Sequence, residues 1–143
     1  MDDVYHSDIL VWSEQQAELL RRLAAGERVN DQRDWENVIE EVESVGREQL
    51  HAVESLLSQA LVLMLKAQGW PQSRDVENWR ADARAFRAQA ANRFAPSMRQ
   101  RIDLARIDRQ ALHALPQTMD GQPPLPLPET CPMTLDELLS DNA

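Results

Sequence analysis

Glu36, Glu40 and Glu43 follow one another at intervals of four and three residues, and Arg80, Arg84 and Arg87 repeat that spacing later in the chain. On a helix, such intervals put all three side chains on one strip. Carboxylates arranged this way are hard oxygen donors of the kind that hold a divalent cation. The same strip is equally the ordinary solvated face of a helix, and on that reading no metal and no catalytic residue is assigned. Arg47 and Glu54 extend the acidic strip, and Glu43 lies nearest its apolar margin. If the two helices pack side by side, the acidic and basic strips are expected to meet in at least one ion pair. Such a pair would specify register more than it would stabilise, because exposed pairs contribute about 0–1 kcal/mol.

Other constellations are weaker. Glu48-x-x-His51 has the spacing of one glutamate–histidine ligand pair of a di-iron bundle, but such a site needs two pairs and the chain has one. Both residues point away from the apolar face, and His6 and His113 have no acidic or cysteine partner at ligand spacing. Cys131, flanked by Thr130 and Pro132, has no neighbouring histidine to activate it. No glycine-rich phosphate loop, nucleophile elbow or zinc spacing occurs. Glu40-Glu41-x-Glu43 invites comparison with all-α nucleotide pyrophosphohydrolases. The third carboxylate of their first motif falls where Ser44 stands, and their second motif has no equivalent in residues 66–115.

The elements that must position these residues are helical. The 143 residues carry only 4 glycines and 5% aromatics, with no short β-branched runs bounded by turns. The first helix is expected over about Ser7 to Ala24, closed by Gly26 and the polar stretch Asn30-Asp31-Gln32. Asp34 caps a second helix that starts with Trp35 and runs beyond Leu65, with Gly69 and Pro71 closing it. A third spans about Asp75 to Phe94. A fourth opens at Pro96-Ser97, where Ser97 and Gln100 match a capping box, and ends before Pro116. Residues 116–133 form a connector with five prolines in its first part, read as an extended strap. Thr134 and Glu137 box the start of a short terminal helix, Leu135 to Leu139, within 134–140.

Angular periodicity makes the second helix the centre of the fold. Trp35, Ile39, Val42, Gly46, Leu50, Val53, Leu57, Ala60 and Met64 share one face. Val38, Val45, Leu56 and Leu63 widen it on one side, and Leu61 on the other. An apolar arc on the order of 150° needs at least two neighbouring helices. Gly46, in mid-arc, weakens the helix by roughly 1 kcal/mol, so another helix is expected to approach closely there through Trp12 or another bulky group. The expected fold is all-α: one domain over 1–143, a compact bundle of four main helices around the long central one, plus the short terminal helix.

Charge and composition narrow the partners. The net charge of -9 disfavours a nucleic-acid binder or an anionic membrane surface. Between Lys66 and Arg109 stand ten basic and five acidic residues, read as internal complementarity. The longest concentrated apolar stretch, Leu56 to Leu65, is half a membrane span. A single cysteine and an amino terminus without signal-peptide features point to the cytoplasm.

The run from Asp34 to Arg47, with its Glu40-Glu41, Glu43, Gly46 and Arg47, resembles the bacterial family called domain of unknown function 29. Trp12 with Glu14 to Leu20 looks like that family's first helix; Leu63 to Lys66, Pro71 and Trp79-Arg80 look like its middle; Cys131 to Leu139 looks like its closing motif. Ala67-Gln68-Gly69-Trp70 departs from the pattern, which is more aromatic there. The resemblance implies a small all-helical bacterial protein, with no activity, cofactor or catalytic residues to carry over. The wide apolar arc favours a non-catalytic module that binds a protein partner or a second copy of itself. A metal-dependent enzyme using Glu36, Glu40 and Glu43 is the second expectation, and a nucleic-acid role the third.

Overall fold

A computed structural model describes the backbone of residues 4–26 and 32–140, and side chains within 6–26 and 39–140. The helices are α1 (Val4–Ser7), α2 (Ile9–Gly26), α3 (Gln32–Gly69), α4 (Val76–Arg93), α5 (Leu104–Ala114) and α6 (Leu135–Leu138), with a 3-10 turn at Pro96–Gln100 between α4 and α5. No strand occurs among the described residues, so the chain is all-α. The expected long helix is unbroken. At 38 residues α3 is roughly 57 Å long, and it begins at Gln32, two residues before the anticipated cap at Asp34.

The length of α3 corrects one expectation. Residues Ile39–Gly69 are long and apolar enough to cross a membrane by length and composition. A core helix passes the same test. Val53, Leu57, Ala60, Leu61 and Leu65 are buried within the protein at intervals of three and four, and Glu54 in the same stretch pairs with Arg106 of α5 at 3.1 Å. Both observations fit a core helix.

The chain divides into two compact units, Met1–His51 with Phe94–Arg101, and Ala52–Arg93 with Ile102–Ala143. In the first, the expected opening helix is α2, which starts at Ile9, and a separate short helix, α1, precedes it across Asp8. The Asp8 carboxylate accepts from the Val11 N–H at 3.1 Å and so caps α2. It also accepts from the Ser97 N–H at 2.7 Å and the Ser97 hydroxyl at 2.8 Å. Those bonds explain why Ser97 does not open a fourth helix: its donors serve Asp8, the chain makes a 3-10 turn, and Asp103 caps α5 instead by accepting from the Arg106 N–H. Glu14 and Arg101 add a two-pronged ion pair, with Nη1 donating at 2.9 Å.

Gly46 receives the close approach expected of it. A β-carbon built there would collide with Ser13 Oγ and lie 2.7 Å from Leu10 Cδ1 and 3.2 Å from Leu10 Cα. It is therefore Leu10 and Ser13 of α2, rather than Trp12, that use the missing side chain. Ser13, fully buried, turns its hydroxyl back onto the Leu10 carbonyl at 2.8 Å, which lets a polar residue occupy a tight contact.

In the second unit the core is Val53, Leu57, Ala60, Leu61 and Leu65 of α3 with Ala83 and Ala90 of α4, Ile107 and Ala111 of α5, and Leu138. The arc on α3 is deepest at Val53, Leu57 and Ala60, while Val45 is exposed. The proline-rich connector is not uniformly extended. Met119 and Gln122 form an antiparallel bridge around Asp120 and Gly121, whose φ angles are 51° and 78°. Asp-Gly suits the left-handed pair that such a tight turn requires. The connector then docks on the end of α3: Trp70 Nε1 donates to the Gln122 carbonyl and the Leu125 N–H to the Gly69 carbonyl, both at 2.9 Å.

Candidate functional site

Each described glutamate of the acidic strip has a cation beside it. Glu40 pairs with Arg47 two turns along α3, and Glu43 pairs with Arg21 of α2. The side chain of Glu36 lies outside the described residues. Glu40 and Glu43 thus have cation partners within their own unit. An antiparallel neighbour brings Arg21 to Glu43, and helical spacing keeps Arg47 within reach of Glu40. Among the described residues no group of three or more histidine, cysteine, aspartate or glutamate side chains is placed to hold a metal ion. Glu48 and His51 are exposed on α3.

The basic strip behaves differently along its length. Arg80 pairs with Glu77 one turn back at 2.9 Å, an exposed contact of small energetic weight. Arg84 is exposed. Arg87 is 6% exposed and donates from Nε to the Leu138 carbonyl at 2.9 Å and from Nη2 to the Glu137 carbonyl at 2.8 Å and the Ser140 carbonyl at 3.4 Å. These are backbone acceptors at the carboxyl end of α6, where helical geometry leaves carbonyls without partners. Arg87 serves as the clasp that holds α6, and burial lowers its proton affinity from the usual arginine value while leaving it cationic. The strip borders a cleft of about 390 Å³ whose lining includes Met64, Ala67 and Ala83.

Asp108 and Cys131 form a second polar cluster, which the spacing of residues did not reveal. Asp108 is 1% exposed and its Oδ1 has no hydrogen-bond partner among the described residues. Burial raises its pKa above the ordinary 3.8, offset in part by a hydrogen bond with the Cys131 thiol. Burial likewise raises Cys131, whose sulfur donates to the Met133 carbonyl at 3.3 Å. One thiol proton cannot serve both Met133 and Asp108, so the carboxyl is short of donors and burial shifts it towards its protonated form. A thiol held protonated is a poor nucleophile, which supports a structural part for Cys131. No periodic signal marks Asp108 on α5; only the appearance of an acid on the face of Ile107 and Ala111 hints at it.

The comparisons agree with this all-helical picture. A family model described as domain of unknown function DUF29 matches residues 4–143, and the chain belongs to that family. It is also similar to a crystal structure, at 1.45 Å resolution, of an alpha-helical protein of unknown function from Rhodospirillum rubrum. The two share 29% identity with a TM-score of 0.81, over 99% of this chain and 92% of the other. No curated protein matches the chain.

Proposed function

We propose that this chain is a non-catalytic interaction module of the bacterial cytoplasm, and that it works by pairing with a second copy of itself through α2. The observation that supports this is the exposure of Leu19 and Leu23, at 53% and 52%, one turn apart on α2. At about 100° per residue they fall on the side opposite Leu10 and Ala17, which fill the core of their own unit. Covering a leucine contributes roughly 1.5–3 kcal/mol, so two of them on one face form a natural centre for an interface. The flanking charges favour a second copy as the occupant. Glu18 and Arg22 flank the leucines about 100° round the helix and pair with each other at 3.4 Å. Two antiparallel α2 helices about a two-fold axis would set Glu18 of each against Arg22 of the other.

Sedimentation equilibrium from 1 to about 100 µM tests this, since a modest interface of this kind implies micromolar dissociation. The expected result is a monomer–dimer equilibrium that the paired change Leu19→Ser and Leu23→Ser abolishes without altering helicity. A strictly monomeric chain at the highest concentration, or dimerisation indifferent to the double change, would contradict the proposal.

A further inference from the structure

The arginine-bordered cleft of the second unit has a chemistry of its own, independent of the face on α2. Its lining combines the apolar Met64, Ala67 and Ala83 with Arg80, Arg84 and Arg87. Arg87 brings a full positive charge to the wall of this cleft, and its partners are carbonyl dipoles rather than a carboxylate. Those bonds use Nε and Nη2. Arg84 has no ion-pair partner among the described residues, and Arg80 has only the exposed, easily surrendered Glu77. Residues 80, 84 and 87 span roughly 10 Å along α4, within the reach of one small ligand. Positive charge is thus concentrated, and incompletely neutralised, on an otherwise acidic chain of net charge -9.

Guanidinium forks match the paired oxygens of carboxylates and phosphates, and an apolar lining discriminates against a bare ion. We propose that the cleft between α3 and α4 binds a small organic anion, an oxyanion head group on a short apolar body, with Arg84 and Arg80 taking the head and Met64, Ala67 and Ala83 contacting the body. A cleft of about 390 Å³ is at the lower end of the range that small-molecule sites occupy. Arg87 is a positioning residue here, fixed by α6 and contributing field.

Isothermal titration calorimetry with phenyl phosphate and with inorganic phosphate tests the assignment on the full chain. Phenyl phosphate is expected to bind with a dissociation constant on the order of 1 mM or below, as its few heavy atoms allow, and inorganic phosphate at least about tenfold more weakly. Arg84→Gln, at an exposed position, should leave the melting temperature unchanged and weaken phenyl phosphate about tenfold, the equivalent of one lost charge-assisted hydrogen bond. Arg109→Gln, on the exposed side of α5, should change nothing. Absence of binding at 10 mM, equal affinity for inorganic phosphate, or an Arg84→Gln variant that binds like the parent would each overturn the proposal.

Discussion

Asp8, at the head of α2, and Asp108, in the middle of α5, are both withdrawn from water, with 8% and 1% of their surface exposed. Burial pushes each carboxyl towards its protonated form, and from there they diverge. At Asp8, hydrogen bonds from Val11 and from the backbone and hydroxyl of Ser97 outweigh burial, so its pKa falls below 3.8. At Asp108, Oδ1 finds no donor, the thiol of Cys131 is a weak one, and the pKa rises. The lesson is that depth alone does not determine the charge of a buried acid; the donors aimed at it do. Asp8 is a satisfied joint that ties the start of α2 to the 3-10 turn. Asp108 is an unsatisfied acid that the surrounding fold tolerates.

The sharpest way to break this contrast is to delete the joint. Asp8→Ala removes the cap of α2 and strands the donors of Val11 and Ser97, and it should cost about 2–4 kcal/mol in urea unfolding at neutral pH. A loss below about 0.5 kcal/mol would mean that water serves those donors equally well. The packing next to that joint is probed by Gly46→Ala. There the new methyl group meets Ser13 and Leu10, and overpacking should cost about 1–3 kcal/mol. Gly26→Ala is the matched control, because nothing lies within 4 Å of a β-carbon at Gly26.

Asp108→Asn should act in the opposite direction and more weakly, raising neutral-pH stability by about 1 kcal/mol, since it removes the penalty for ionising a buried acid. The pH dependence carries the sign. Because the folded state raises the pKa of Asp108, its favourable contribution is complete below the unfolded value near 3.8 and is lost as pH climbs through the higher folded value. Asp8 contributes the reverse: stability present above about 3.8 and lost as pH falls through its depressed folded value. Asp108→Asn should therefore flatten the decline of stability between weakly acidic and neutral pH while leaving the acid limb intact. A variant with the parent's slope across that window would show that Asp108 is already ionised or solvated in the fold.

Periodicity was enough to read α3, because apolar residues at intervals of three and four are a local property and Gly69-Trp70-Pro71 stops the pattern. The terminal capping box was equally legible: Thr134 and Glu137 exchange hydrogen bonds at 3.2 and 3.1 Å, four residues settling their own geometry. The close approach at Gly46 followed from the cost of a glycine in mid-helix, although which residue fills the space depends on the tilt of α2. What stayed hidden depends on distant partners. Ser97 reads as a helix cap until Asp8, 89 residues away, takes its donors. Arg87 reads as one of three equivalent arginines until the carbonyls of α6 single it out. Asp120-Gly121 is a local turn dipeptide inside a segment dominated by its prolines.

Side-chain carboxyl ¹³C resonances of Asp8 and Asp108, followed through a pH titration of the intact chain, test the contrast between the two acids most directly. Asp8 should remain ionised to below the ordinary carboxylate range, and Asp108 should take up its proton above it. Two coincident titrations, or an Asp108 that is the more acidic of the pair, would contradict the assignment of charge to hydrogen-bond donors on which the comparison rests.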